Sequence, residues 1–93
     1  MIVDAHLDLA YNVARGRDVR KPSSEQQQIG TEIASVGLPD LRAGGVGLIC
    51  GTIFCEPYRG SDSPGYRDAD EAHEQFLAQL AWYREQFAAG ELK

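Results

Sequence analysis

A run of nine uncharged residues, VGLICGTIF at 46–54, narrows the folds open to this chain. A strand that is apolar on both faces is typical of a parallel sheet covered by helices on its two sides. The stretch from Ile2 to Leu7 begins with β-branched residues and predicts a second, buried strand near the N-terminus. We therefore expect an α/β fold built on a parallel sheet.

Three helices are predicted around these strands. The spacing of apolar residues in Leu9–Arg15 is helical, and Gly16 follows at the position of a C-terminal glycine cap. A short helix is expected within 38–45, LPDLRAGG, which ends in two glycines. The last helix is capped by Asp68 and ends near Gly90. We expect its apolar stripe to form core, and the stripe consists of Ala69, Ala72, Phe76, Leu80, Tyr83 and Phe87.

The segment between the first two helices, residues 16–36, has a different character. It is polar, contains Pro22 and shows no apolar period before Ile29, so we expect an irregular excursion or a mobile loop. Two strands alone would leave both sheet edges and one face of the run 46–54 uncovered. We therefore expect the chain to be a piece of a larger sheet.

The charge balance argues against two classes of partner. Nine basic and fourteen acidic residues give a net charge of −5, whereas nucleic acids and anionic membrane surfaces require a clustered positive face. No apolar run approaches the ~20 residues of a membrane helix. The start, Met1 to Asp4, carries no basic segment of a signal peptide, so we expect a cytoplasmic protein.

Three polar residues interrupt the first strand at alternate positions, in the segment VDAHLD. Because alternate side chains of a strand share a face, Asp4, His6 and Asp8 are expected to point the same way. An imidazole and a carboxylate on one face have the donor atoms that bind zinc. The alternative is a hydrogen-bonded polar pair near the strand end. Burying three polar groups without partners or a metal is costly, which favours a site.

Two motifs together resemble the membrane dipeptidase (renal dipeptidase) family. Asp4-Ala5-His6-Leu7-Asp8 matches the D-x-H-x-D strand that opens the family, and the segment 38–47, LPDLRAGGVG, resembles its entry into the second strand. The family belongs to the metal-dependent amidohydrolase-like (β/α)₈ barrels. The resemblance covers essentially this whole chain, but only about the first quarter of a family member. It implies that the chain forms the first two βα units of a TIM-type barrel, incomplete in this chain.

The resemblance also implies a site with two zinc ions, of which His6 and Asp8 would bind one. Asp4 would then hold the imidazole or the strand in place. The bridging glutamate, the other metal ligands and the catalytic acid or base of the family come from strands beyond Lys93, so no catalytic residue is assigned here. Phe54 falls where the family usually carries a substrate-facing tyrosine, and it lacks the hydroxyl group.

These features predict the N-terminal portion, residues 1–93, of a zinc-dependent dipeptidase that acts through a metal-bridging water. We expect the 93-residue chain alone to be inactive and to bind zinc weakly, since two ligands do not close a tetrahedral site. One alternative is a non-enzymatic α/β module that self-associates, for example as a homodimer. Another is a metal hydrolase of the same barrel class that acts on a different amide or on a lactone.

Overall fold

A computed structural model describes residues 1–61 and 63–93 of the chain. The elements are β1 (Ile2–Leu7), α1 (Leu9–Ala14), α2 (Leu38–Ala43), β2 (Val46–Gly51) and α3 (Ala69–Ala88), with one 3₁₀ turn at Ser23–Glu25. The chain divides into two compact units, Met1–Thr52 and Ile53–Lys93. The expected α/β class is confirmed at this level: a parallel two-stranded sheet accompanied by three α-helices.

The two strands pair in parallel, with Asp4 opposite Ile49 and Leu7 opposite Gly51. The register is interrupted between Asp4 and Leu7, in the segment that contains His6. β2 ends at Gly51, so the prediction of a strand through residue 54 is wrong for its last three positions. The pairing nevertheless extends one residue further, because the N–H of Thr52 donates to the Leu7 carbonyl at 3.0 Å.

The expectation of a buried first strand is wrong for this chain. The exposed fractions of Ile2, Val3 and Leu48 are 55%, 54% and 54%. A sheet of two strands has an open edge on each side and too few neighbours to cover its apolar side chains. The apolar sequence therefore does form a strand. The described residues of this unit do not, however, cover its apolar side chains with a further layer of helices or strands.

The buried apolar residues described in the first unit lie outside both strands and include residues from the long loop. Leu9 of α1 and Val19 of the loop are almost fully buried, at 0% and 1% exposure, and Leu38 at the start of α2 is 3% exposed. The N–H of Leu38 donates to the Val19 carbonyl at 2.7 Å. The segment 16–36 is irregular, as predicted, yet it contributes to the core.

The end of α1 is fixed by a glycine cap. Gly16 has a φ of +95°, the N–H of Gly16 donates to the Val13 carbonyl at 2.9 Å, and the N–H of Arg17 donates to the Asn12 carbonyl at 3.1 Å. This pair of bonds is the Schellman motif, which satisfies helix-end carbonyls and favours glycine at the left-handed position. The predicted cap is confirmed, and it places Arg17 directly beyond α1.

The second unit is organised around α3. Asp68 accepts the N–H of Glu71 at 2.8 Å, which confirms the predicted N-cap. The predicted core stripe is only partly correct: Tyr83 is buried, but Phe76 and Phe87 are 42% and 53% exposed. The buried positions also include two glutamines, Gln79 and Gln86.

A specific pair of hydrogen bonds explains why one of these glutamines is buried. Within the second unit, the side-chain amide of Gln79 accepts the N–H of Phe54 at 3.1 Å and donates to the Phe54 carbonyl at 2.5 Å. A buried amide is stable when both its donor and its acceptor have partners. The polar residue thus occupies a core position because it pairs with backbone that belongs to neither a helix nor a strand.

Candidate functional site

A histidine and an aspartate side chain approach each other at the carboxyl end of β1. Nε2 of His6 and Oδ1 of Asp8 are 3.4 Å apart, so the two side chains approach each other as strand alternation predicts. The side chain of His6 is 73% exposed and that of Asp8 is 39% exposed. Both groups are therefore accessible to a dissolved ligand.

The distance between the two atoms is compatible with a direct ion pair and with two ligands of one cation. An N–H···O hydrogen bond is usually about 2.7–3.2 Å long, shorter than this separation. Two atoms bound to one tetrahedral zinc ion, each at roughly 2.0–2.2 Å, lie about 3.4 Å apart. The nitrogen and oxygen donors of His6 and Asp8 thus fit a shared cation in both type and spacing.

Asp4 contacts the main chain of the same strand. Its Oδ1 atom accepts the N–H of His6 at 2.9 Å. This bond occurs where the register of β1 is interrupted, so it supplies His6 with a partner inside the irregular stretch. The family resemblance implies that Asp4 holds either the imidazole of His6 or the strand in place. The observed bond is to the main chain of the strand.

Thr52 contacts Asp8 from the end of the neighbouring strand. Its hydroxyl donates to Oδ1 of Asp8, the same atom that faces His6. A carboxylate oxygen has two lone pairs, so it can accept this bond and still face a cation. Sequence reasoning missed Thr52 because its position beside Asp8 depends on the register between β1 and β2, which no local pattern reports.

Two further residues behind the pair were also missed. The side-chain amide of Asn12 donates to the Asp8 carbonyl at 2.7 Å, and Oδ1 of Asn12 accepts from Nη1 of Arg17 at 2.7 Å. The sequence carries a weak signal for the first contact, because Asn12 lies four residues after Asp8 at the start of a helix. The contact with Arg17 depends on the cap that follows α1.

The pair alone would not complete a zinc site. Within residues 1–61 and 63–93, no group of three or more His, Cys, Asp or Glu side chains is placed to hold a metal ion. A structural zinc site takes four ligands and a catalytic one takes three plus water. His6 and Asp8 would therefore contribute two ligands, and others would have to come from elsewhere.

Phe54 lies in the second unit, outside β2, and its side chain is 45% exposed. Its main chain is held by Gln79, as described above. The prediction that a strand runs through Phe54 is wrong, because β2 ends at Gly51. Its role in substrate binding stays a prediction.

His73, the other histidine of the chain, is exposed on α3 and stacks on Phe76 with ring centroids 6.4 Å apart.

In the described ranges, no helix is both long enough and apolar enough to cross a bilayer.

Comparison with known proteins gives no relative: no protein-family model, no curated protein and no solved structure matches this chain.

Proposed function

We propose that this chain is the N-terminal part of a zinc-dependent dipeptidase, with His6 and Asp8 as two ligands of one zinc ion. The observation that carries the proposal is the 3.4 Å separation between Nε2 of His6 and Oδ1 of Asp8. It is supported by the position of the pair, because barrel enzymes place their chemistry at the carboxyl ends of parallel strands.

The proposed architecture is the first portion of a (β/α)₈ barrel. The parallel pairing of β1 with β2 is compatible with it, and a βα order is present in β1 followed by α1. The exposed apolar side chains of Ile2, Val3 and Leu48 provide surface that further strands and helices of a barrel would cover. Additional strands would also supply the missing metal ligands.

Each residue of the site then has a distinct task. Zinc would supply Lewis acidity toward the scissile amide carbonyl and would lower the pKa of a bound water. Asp4 holds the backbone of His6, and Thr52 fixes the carboxylate of Asp8. Phe54 is proposed to contact the side chain of a dipeptide substrate in the complete protein.

A zinc titration of the 93-residue chain tests the assignment. We expect zinc chloride to shift the imidazole NMR signals of His6 but not those of His73. Asp8→Asn should weaken this shift strongly, because a neutral amide is a poorer zinc ligand than a carboxylate. His73→Ala is the matched control and should leave it unchanged. Equal responses of both histidines to zinc would overturn the assignment of His6 and Asp8.

Enzyme assays test the reaction class. We expect residues 1–93 alone to hydrolyse no dipeptide at an enzyme-like rate, and such a rate would contradict the proposed need for further ligands. If the coding frame continues beyond codon 93, the encoded protein should contain a glutamate-bearing strand and two more histidines. A panel of dipeptides, other amides and lactones then separates a dipeptidase from other hydrolases of this class.

The exposed sheet also favours a second candidate, a self-associating module without catalytic activity. Val3 and Leu48, which pair across the two strands and share a face, would be buried between two copies. Sedimentation across a concentration series tests this candidate. A tight dimer that Leu48→Lys dissociates, together with no response of His6 to zinc, would favour it over the dipeptidase.

A further inference from the structure

A continuous chain of hydrogen bonds leads from Asp8 into the long loop. Asp8 precedes α1, and its carbonyl accepts both the main-chain N–H of Asn12, at 3.3 Å, and the side-chain Nδ2, at 2.7 Å. The oxygen of the same side-chain amide accepts from Nη1 of Arg17 at 2.7 Å. The amide of Asn12 therefore has a defined orientation, with its donor toward Asp8 and its acceptor toward Arg17.

Arg17 continues the chain of bonds into the loop. Its Nη2 atom donates to the Glu32 carbonyl at 3.0 Å and its Nε atom donates to the Gln27 carbonyl at 3.3 Å. The residue is only 9% exposed. A guanidinium buried to this degree is stable only when its donors are satisfied, so the loop carbonyls and Asn12 hold it in one position.

Asp8 is consequently held at two points. Thr52 bonds to its carboxylate and Asn12 bonds to its carbonyl. Rotation of the Asp8 backbone would break the second bond and leave the side-chain N–H of Asn12 without this acceptor. The Asp8 main chain is thus linked, through the side chains of Asn12 and Arg17, to loop carbonyls more than ten residues further along the chain.

We propose that Asn12 and Arg17 are positioning residues that connect the loop of residues 16–36 to the His6–Asp8 pair. The proposal deepens the zinc assignment and rests on it for its functional meaning. The loop then acts as a rigid support behind the metal ligand. Replacement of either polar residue should loosen Asp8 and weaken zinc binding without touching a ligand atom.

The chemistry of the two side chains makes specific substitutions informative. Asn12→Leu keeps the approximate size and removes both hydrogen bonds. Arg17→Lys keeps the charge, but a single ammonium group cannot reproduce the planar fork that reaches Asn12, Gln27 and Glu32. Arg20→Lys is the matched control, because Arg20 is an exposed arginine of the same loop whose guanidinium bonds to the carboxylate of Asp18.

The first measurement is the affinity for zinc chloride, read from the imidazole NMR signals of His6, together with the urea unfolding midpoint. Loss of groups that orient a metal ligand typically weakens metal binding by about 10–100-fold. We expect about tenfold for Asn12→Leu and Arg17→Lys under conditions in which both are folded, and less than about twofold for Arg20→Lys. A merely structural role would lower the unfolding midpoint and leave the zinc affinity of the folded protein unchanged, which would overturn the proposal.

The second measurement needs no metal. In amide hydrogen exchange, the N–H of Leu38, which bonds to the Val19 carbonyl, reports on the loop, and the N–H of Asn12 reports on the start of α1. We expect Arg17→Lys to accelerate exchange at both amides, and Arg20→Lys at neither. Acceleration at Leu38 alone would overturn the proposed connection. If the unaltered protein binds no zinc but both amides respond, the dipeptidase proposal fails and the connection between loop and Asp8 stands.

Discussion

Thr52 and Asp8 lie 44 positions apart in the sequence, and the hydroxyl of Thr52 donates to the carboxylate of Asp8. The bond joins the residue that follows β2 to the residue that follows β1. It therefore makes the orientation of a candidate metal ligand dependent on correct pairing of the two strands.

Thr52→Val keeps the shape of the side chain and removes this bond. We expect a loss of about 1 kcal/mol in the free energy of unfolding, since a half-buried carboxylate oxygen loses its donor, and a few-fold loss in zinc affinity. Urea unfolding and zinc titration measure the two effects. Thr31→Val, at an exposed loop position, is the control. Equal effects of the two substitutions would contradict the role of Thr52.

Val19→Ala tests whether the long loop is part of the core. Val19 is 1% exposed, so truncation should reduce the free energy of unfolding by about 2 kcal/mol through lost burial and a small cavity. Ile33→Ala, in the same loop but 79% exposed, should cost less than about 0.5 kcal/mol. Urea denaturation compares the two. A mobile loop with no core role would give similar small losses for both.

Gln79→Met tests the buried amide of α3. The N–H and C=O groups of Phe54 would both lose their bond to Gln79, and we expect a loss of about 1–3 kcal/mol in stability. Gln75→Met is the control on the same helix, because Gln75 makes an exposed bond to the Pro64 carbonyl. Thermal and urea unfolding should show the larger loss for Gln79. The reverse order would refute the interpretation that the polar core position is held by Phe54.

Gly16→Ala should destabilise the chain through backbone conformation alone. The φ of +95° is unfavourable for residues with a Cβ atom, and no atom lies within 4 Å of the Cβ that alanine would add. We expect a loss of about 1 kcal/mol, and a smaller loss for Gly16→Asn, because asparagine tolerates the left-handed region better. Helix content by circular dichroism and urea unfolding provide the measurement. An equal or larger loss for asparagine would indicate steric crowding instead.

The carboxylate of Asp18 should titrate below the ordinary range of aspartates. The side-chain hydrogen bond from Arg20, followed by the bond from the Arg20 main-chain N–H, lowers the pKa of Asp18. Because the folded-state pKa is depressed, the pair contributes stability above about pH 4 and loses it as the pH falls through the folded value. Carbon-detected NMR titration should show the pKa of Asp18 rising toward its ordinary value in Arg20→Ala. No rise, or an equal rise in Arg59→Ala, would contradict the assignment.

Several elements could be predicted because their signals are local. The Gly16 and Asp68 caps act within a few residues of the helix ends they define, and alternation along β1 was sufficient to expect His6 and Asp8 on one side. The shared side of His6 and Asp8 was therefore predictable from alternation, whereas their assignment as zinc ligands came from the family resemblance. The structure adds the separation of 3.4 Å between them.

Other features were decided only by tertiary structure. Val19 lies in a polar loop and Gln79 lies on a helix with apolar neighbours, yet both residues are buried. Each has a hydrogen-bond partner that is distant in the sequence, which is Leu38 for Val19 and Phe54 for Gln79. The position of Thr52 beside Asp8 depends on strand register, and Arg17 is held by carbonyls of residues 27 and 32. Sequence patterns indicate periodicity and helix caps, which depend on residues within one or two turns. A buried polar group instead needs a hydrogen-bond partner, and only the folded chain determines which backbone atoms lie next to it.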